Sequence, residues 1–221
     1  MHVYSINSNK REEVIRIITI IDLILSSWLE YQGIIDNISN WMMINILIIS
    51  SDNYIYHLVL SGVHAIVPVG IYGISFGLYN KFIWKWKVLY RWHHIPNLNG
   101  KWQGTVESPL KEKSSDITAD IKQTWTKIQV QTRAVSGAHS ESGMIEVVSN
   151  DEKSDTFFRY SFRTERGNEK YIGYNKLQYT GSKLEGEYFT NKKLSDKQCD
   201  EGKGSKGVIL LKRILKNEQS R

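Results

Sequence analysis

The stretch that decides the fold is Asn53–Asn80, NYIYHLVLSGVHAIVPVGIYGISFGLYN, which holds 28 residues without a single Asp, Glu, Lys or Arg. A helix of this length reaches about 42 Å at 1.5 Å per residue, more than the ~30 Å of bilayer hydrocarbon. Helices buried inside soluble proteins rarely stay uncharged for so long. The stretch therefore predicts a transmembrane helix over Ile55–Tyr79.

The residues after this helix are typical of a membrane surface. Aromatic side chains alternate there with basic ones, in the order Tyr79, Lys81, Phe82, Trp84, Lys85, Trp86, Lys87, Tyr90, Arg91 and Trp92. Aromatic rings favour the headgroup level, and short basic flanks stay on the cytoplasmic side. We therefore expect the helix to leave the membrane on that side.

An earlier segment, Val14–Trp28, is rich in Ile and Leu but carries polar residues every three or four positions. This spacing puts Arg16, Asp22 and Glu30 in one polar stripe of a helix. Such a helix either lies on the membrane surface or crosses the membrane with its stripe facing other helices. A crossing helix would occupy roughly 14–35 or 34–50.

Basic residues flank the membrane region at both ends, since Lys10, Arg11 and Arg16 precede it and the aromatic–basic junction follows it. Positive flanks at both ends require an even number of crossings. The sequence therefore predicts two transmembrane helices, at about 14–50 and 55–79, within a membrane region of residues 1–96. The amino terminus and the carboxy-terminal half are both expected in the cytoplasm.

From residue 97 the pattern changes to short segments that alternate apolar and polar residues, which is the signature of β-strands. Eight segments are predicted: Gly100–Glu107, Ile117–Trp125, Thr126–Val135, Ser142–Ser149, Thr156–Thr164, Tyr174–Thr180, Lys183–Asn191 and Lys206–Ile214. Closing such a meander into a barrel removes its exposed edges. The predicted fold is a membrane α-helical hairpin followed by an all-β domain at 97–221, an eight-stranded up-and-down β-barrel.

Gly100-Lys101-Trp102 opens the first predicted strand, and Arg213 lies in the last. The pair resembles the Gly-x-Trp start and late Arg of lipocalin-like barrels, in which the Arg stacks on the Trp and closes one end. A cation–π contact of this kind contributes roughly 0.5–2 kcal/mol. The expected role of Trp102 and Arg213 is structural.

Composition sets limits on function. The net charge is +6, and the part from residue 97 onwards carries 22 Lys and Arg against 17 Asp and Glu, a mild basic excess that attracts anions. A single cysteine, Cys199, leaves no disulfide framework. The six histidines show no metal-ligand spacing, and no nucleophile motif, P-loop or carboxylate pair is present. We therefore expect no catalytic residues, no metal and no cofactor.

The combination of a two-span hairpin, an aromatic–basic junction and a minimal barrel resembles the CD-NTase-associated protein 15 family. At the residue level the resemblance rests on two stretches, Leu98-Asn99-Gly100-Lys101-Trp102-Gln103-Gly104 and Gly-Val-Ile-Leu-Leu-Lys-Arg at 207–213. The family comprises transmembrane β-barrel effectors of bacterial anti-phage CBASS defence. The resemblance implies a cytoplasmic barrel that binds a cyclic oligonucleotide, with a cyclic dinucleotide as the expected form, made by a partner CD-NTase. It further implies homo-oligomerisation and disruption of the inner membrane, with no DNA or RNA partner.

The ligand residues follow from strand parity. A cyclic nucleotide needs cationic donors and aromatic faces together. Tyr160 and Tyr188 fall on inward positions and are candidate stacking residues, with Thr132 as a hydrogen-bonding neighbour. Arg163 and Arg166 lie at the end of the fifth segment, within reach of a barrel mouth. Ordinary core packing explains either tyrosine equally well.

Two other functions fit the same pattern. One is a membrane-tethered, lipocalin-like carrier of an apolar small molecule, and the other is a structural module that tethers a partner. The lining of the barrel separates the first of these from a nucleotide sensor, because an aliphatic lining suits a lipid and a polar one suits a nucleotide.

Overall fold

The computed structural model describes residues 1–6, 9–42, 44–45, 54–108, 111–150, 155–167, 169–191 and 205–214. Its contacts divide the chain into two compact units. Asn9–Ile83 forms a helical unit, and Met1–Ser8 joins Trp84–Arg221 in the other. The first eight residues, which the sequence assigns to the membrane region, are thus grouped with the β-barrel.

The helical unit contains α1 (Lys10–Tyr31), α2 (Ile34–Met42) and α3 (Tyr54–Lys81). Gly33 separates α1 from α2 with a φ of 66°, a left-handed conformation that suits glycine and ends the helix. The break falls inside the first alternative for a first span, 14–35, and immediately before the second, 34–50. Residues 46–53, which include the end of the second alternative, lie outside the described residues.

Helices α1 and α3 run antiparallel, because Asp22 near the middle of α1 meets Ser75 late in α3, and Glu30 near the end of α1 meets His64. The Ser75 hydroxyl donates to Asp22 Oδ1 at 2.8 Å, and Asp22 is buried. Arg16 and Glu30, the other two charged residues of the predicted stripe, are exposed. Asp22 is therefore buried between the helices, Glu30 is exposed at the edge of their contact beside His64, and Arg16 is exposed.

Among the described residues, one helix is long and apolar enough to cross a membrane, the span Tyr54–Lys85, which has a mean hydropathy of 1.7. The outward faces of α1 and α3 are also apolar: Ile17, Ile20, Ile21, Leu23, Ile24 and Trp28 are exposed on α1, and Leu58, Ile66, Val69 and Ile74 on α3. A contiguous apolar surface of this kind marks contact with protein or lipid.

The junction is helical as far as His93. A 3₁₀ turn covers Ile83–Lys85, and α4 covers Lys87–His93. His94 follows with a φ of 54°, so the chain turns sharply there and α4 ends. The segment from Ile95 to Leu98 is then buried on its way into the barrel.

The predicted eight-stranded up-and-down barrel is confirmed. After two short strands, β1 (His2–Val3) and β2 (Ser5–Ile6), eight longer ones form the barrel: β3 (Gly100–Ser108), β4 (Lys111–Gln123), β5 (Lys127–Ala134), β6 (His139–Asn150), β7 (Asp155–Arg166), β8 (Glu169–Tyr179), β9 (Lys183–Thr190) and β10 (Ser205–Arg213). Each of the eight pairs antiparallel with the next, and β10 pairs with β3 to close the wall. Strand β4 begins six residues before the predicted Ile117. Its polar start is held by pairing with β3, which the alternation of its own residues does not reveal.

The barrel has a closed end and an opposite end, here called the hairpin end, at which β3, β5, β7 and β9 finish and β4, β6, β8 and β10 begin. Large side chains fill the closed end, including Leu98, Trp102, Trp125, Ile128 and Leu184, all almost fully buried. Polar inward positions become frequent towards the hairpin end. The closed end is thus packed mainly with large apolar side chains, and hydroxyl-bearing residues such as Thr132, Ser140 and Thr164 lie towards the hairpin end.

Candidate functional site

One row of inward-facing residues crosses the middle of the barrel. Register places Ile145 on β6 opposite Tyr160 on β7, Tyr160 opposite Asn175 on β8, and Asn175 opposite Tyr188 on β9. All four side chains are buried. Since neighbouring strands lie about 4.8 Å apart, the backbones that carry the two tyrosines are roughly 10 Å apart, with the amide of Asn175 between them.

Two polar atoms of this row lack hydrogen bonds of ordinary geometry within the described structure, the Tyr160 hydroxyl and Asn175 Oδ1. Burial raises the pKa of Tyr160 well above its ordinary value, and the adjacent Asn175 side chain offsets only part of that rise. The two groups are therefore close without forming a well-aligned hydrogen bond. Leaving a buried polar atom unpaired costs about 1–3 kcal/mol, which makes the row a natural place for a polar ligand atom.

Aromatic packing orients the two tyrosine rings. Tyr160 lies between Phe158 and Phe162, with ring centroids at 5.1 Å and 6.4 Å. The ring of Tyr188 covers Gly207, where an added Cβ would come within 2.4 Å of it. Glycine at 207 therefore makes room for the Tyr188 ring inside the wall.

Hydroxyl groups line the wall between this row and the hairpin end. Ser140 and Thr164 share a hydrogen bond of 2.7 Å across β6 and β7, and the buried Ser142 accepts the N–H of Val130 at 2.9 Å. Thr132 faces inward on β5, opposite Ser140, and is half-buried. None of these inward-facing residues is acidic, so this part of the lining does not repel an anion.

The structure brings Tyr160 and Tyr188 together in one row and places Thr132 in the hydroxyl-lined part of the wall. It does not bring the two arginines to them. Arg163 is exposed on the outer face of β7, and Arg166 is exposed at the end of that strand. Their role in phosphate binding stays a prediction.

Sequence reasoning missed Asn175, Ser142 and Thr164. The signal for Asn175 was present, because Gly173, Asn175 and Leu177 alternate with Tyr174 and Lys176 and so share the inward parity. Ser142 was harder to assign, because β6 carries an irregularity between Ser142 and Ile145 that breaks its alternation.

At the closed end, the Arg213 guanidinium carbon lies 4.7 Å from the centroid of the Trp102 ring. The Trp102 indole N–H donates to the Leu98 carbonyl at 3.0 Å, and Arg213 donates to the carbonyl of Asn97. Both side chains thus tie the segment that enters the barrel to the first and last strands.

His93 holds the junction against the closed end. Its Nε2 lies 3.1 Å from the Trp84 carbonyl, and its Nδ1 accepts the N–H of Ile95 at 3.0 Å. Its ring also contacts Trp125 edge-on, with the centroids 4.9 Å apart. Burial lowers the pKa of His93 to about 4, although the bond to the Trp84 carbonyl opposes the shift. The imidazole is therefore neutral near pH 7 and serves a structural role.

Among the described residues, no three His, Cys, Asp or Glu side chains lie close enough to hold a metal ion. A shallow groove is present on the β5–β6 hairpin, lined by Arg133, Ala134, Gly137, Ala138 and His139. It contains none of the row that holds Tyr160.

A family profile described as Cap15, cyclic dinucleotide receptor domain, matches residues 93–198. The match begins at His93, covers the strands from β3 to β9 and ends before β10. No curated protein gave a significant match to the chain. The description names a receptor domain and not an enzyme. The matched residues form seven of the eight barrel strands, and the match supports the assignment of the barrel to the Cap15 family.

Proposed function

We propose that this protein is a membrane-anchored effector whose barrel binds a cyclic dinucleotide made by a partner CD-NTase. On binding, copies assemble and disrupt the bacterial inner membrane, which ends the infection by killing the cell. The observation that carries the proposal is the inward row of Tyr160, Asn175 and Tyr188 in a domain of the cyclic dinucleotide receptor family.

The row offers the chemistry that a nucleobase requires. A base presents a flat face, which stacks on an aromatic ring, and an edge of donors and acceptors. Asn175 Oδ1 is an unpaired acceptor for an exocyclic amino group, and the Tyr160 hydroxyl can donate to a ring nitrogen or carbonyl. The hydroxyls of Thr132, Ser140 and Ser142 supply further neutral partners towards the hairpin end.

An apolar carrier is less well supported. Aliphatic side chains line the closed half of the barrel, where a lipid would have to lie, but they are packed there to near-zero exposure. The half that leads to the hairpin end carries the hydroxyls of Thr132, Ser140, Ser142 and Thr164 beside apolar residues such as Ile117 and Phe162. A lipid chain entering there would leave those groups without partners, which costs free energy.

The helical unit supports a two-span anchor. Because α1 and α3 pack antiparallel, a membrane that α3 crosses also surrounds α1. Asp22, the buried charge of α1, then has Ser75 as its partner inside the helix pair. Both ends of the pair would lie on one side, which places the amino terminus and the barrel in the cytoplasm. Protease digestion of the barrel from the periplasmic side would reject this orientation.

Calorimetry on the full chain in detergent micelles tests ligand binding, with 3′,3′-cyclic GMP–AMP, cyclic di-AMP and cyclic di-GMP as probes. For the probe that binds, Tyr160→Phe should weaken affinity about 5- to 10-fold, the effect of one lost hydrogen bond. The same substitution removes an unpaired buried hydroxyl, so it should raise the unfolding free energy of the free protein by about 1 kcal/mol. Opposite signs for binding and stability distinguish a ligand contact from core packing.

Matched variants complete the design. Asn175→Ala should also weaken binding, whereas Tyr174→Phe, on the outer face of the same strand, should leave it unchanged. Arg163→Ala and Arg166→Ala test the two phosphate candidates separately. Unchanged affinity in both Tyr160→Phe and Asn175→Ala would show that the ligand does not bind at this row. Absence of binding by all three probes would count against the proposed function.

A further inference from the structure

The barrel wall has a gap that its own eight strands do not close. Strands β5 and β6 pair only over Gln131–Arg133 and His139–Glu141, next to the hairpin that joins them. Beyond that point Ser142 Oγ takes the N–H of Val130, so a side chain replaces the missing backbone partner. Towards the closed end the two strands separate, which leaves a gap between them, here called the seam.

The N-terminal arm, residues 1–6, fills the seam. His2 and Val3 pair antiparallel with Ile128 and Lys127 of β5, and Ser5 and Ile6 pair parallel with Glu146 and Val147 of β6. The arm thus acts as a short extra strand that satisfies backbone groups of β5 and β6. Without it, both strands would present unpaired edges, which readily accept another strand.

Only one side chain of the arm is fully buried. Tyr4 is 1% exposed, and its hydroxyl accepts a long hydrogen bond of 3.5 Å from Gln123 Nε2. His2, Val3 and Ser5 are exposed. A segment held by one buried ring and four paired residues is the kind that opens locally before the rest of a domain unfolds.

The segment of β6 that pairs with the arm also borders the candidate ligand row. Ile145 lies opposite Tyr160, and the next two residues of β6, Glu146 and Val147, are those that pair with the arm. A ligand that moves the Tyr160 ring or the Ile145 backbone therefore acts on the strand that holds Ser5 and Ile6. The candidate ligand row and the residues that hold the arm are therefore adjacent in the structure.

We infer that the seam is a strand-accepting interface between copies, and that the partner it fits is the N-terminal arm of a second copy of this chain. An arm from a neighbour makes the same contacts as the protein's own arm, so exchange requires no new surface. Residues 7–9 alone separate the arm from α1, so the four steps from Ile6 to Lys10 span at most ~14 Å and exchange occurs only between copies side by side. The inference rests on the proposed function, because exchange of arms is started by the ligand-driven assembly of copies that a membrane holds at high local concentration.

Disulfide trapping between two differently tagged full-length copies tests the exchange, in a Cys199→Ser background. One copy carries Val3→Cys and the other Lys127→Cys, two exposed positions that lie directly opposite each other. Directly opposite residues have Cβ atoms about 4.5–5.5 Å apart, within reach of a disulfide after small adjustments. A control pair places Lys101→Cys and Asp120→Cys on separate copies, since these face each other on β3 and β4, which stay in one chain.

The copies are mixed in phosphatidylethanolamine–phosphatidylglycerol vesicles with each of the three cyclic dinucleotides named above. The mixed disulfide of Val3→Cys with Lys127→Cys should rise at least five-fold above the control pair when a probe drives assembly. A yield equal to the control, in samples that glutaraldehyde shows to be assembled, overturns the exchange. With both cysteines in one chain and no probe, the disulfide should instead form within the monomer.

The same experiment without any cyclic dinucleotide separates this inference from the proposed function. At high protein-to-lipid ratio, collisions alone should give a mixed disulfide above the control, and a yield no higher than the control would count against the seam as an interface. Failure of all probes to bind the wild-type chain, measured by calorimetry, would instead overturn the proposed ligand.

Discussion

Acid should destabilise the barrel through His93. This side chain is 1% exposed, and burial lowers its pKa from 6.5 to about 4. Its neutral form uses both ring nitrogens, with Nε2 at the Trp84 carbonyl and Nδ1 accepting from the Ile95 N–H. A second proton must go on Nδ1, which would remove the acceptor for Ile95 at the point where the chain enters the barrel.

The size of the effect follows from the shift. Above pH 6.5 neither state of His93 binds the extra proton, so its contribution to stability is constant. Between pH 6.5 and about 4 the unfolded chain binds the proton and the native protein does not. The unfolding free energy then falls by about 1.4 kcal/mol for each pH unit. Lowering the pH from 7.5 to 5 should therefore cost about 2 kcal/mol.

Urea titrations of the full chain in detergent micelles, followed by tryptophan fluorescence, measure this loss. The Trp125 ring touches His93 and reports on its surroundings. His93→Gln cannot take up the proton, so its stability should lack this component of the pH dependence. His94→Gln, at the half-exposed neighbour, should keep it. Equal pH dependence in wild type and His93→Gln would show that His93 is not held neutral by burial.

Two further predictions concern the closed end of the barrel and the helices. Trp102→Ala should lower the unfolding free energy by roughly 3–5 kcal/mol and Arg213→Ala by less, and a double-mutant cycle of urea unfolding should show non-additive losses; additive losses would mean that the 4.7 Å stack contributes nothing. Replacing Asp22 with Asn and Glu30 with Gln should leave ligand-induced crosslinking intact and reduce membrane leakage in cells, whereas normal leakage with normal assembly would exclude these two side chains from the working surface.

Local pattern was sufficient to predict α3 and the presence of the eight barrel strands. The run from Asn53 to Asn80 predicts α3 because it is long and contains no charged residue, as expected of a helix in an apolar environment. The alternation of apolar and polar residues from Gly100 onwards predicts strands because successive side chains of a strand point to opposite faces. Tyr160 and Tyr188 could be placed inside the barrel for the same reason. The face of the sheet on which a side chain lies can be predicted from the sequence alone, provided that the strand has no bulge or other irregularity.

The arm and the unpaired atoms could not be predicted in this way. Strands β1 and β2 have two residues each, too few to show an alternation of apolar and polar residues. They form by pairing with β5 and β6, which lie much later in the sequence and are separated in space at this point. Whether Asn175 Oδ1 has a partner depends on the residues opposite it on two other strands. The outer position of Arg163, in contrast, follows from its parity with Arg159.

The unpaired atoms of the row also bear on how the barrel responds to a ligand. A buried hydroxyl and a buried amide oxygen without partners each cost the free protein about 1–3 kcal/mol, so the empty barrel is less stable than its packing alone would allow. A ligand that pairs with both removes that cost only in the bound state, and this difference adds to its affinity. Because Ile145 of the same row continues directly into Glu146 and Val147, the residues that hold the arm, we expect a ligand bound at the row to affect the strand segment on which the arm depends. The row and the arm are thus linked through three consecutive residues of one strand, Ile145, Glu146 and Val147.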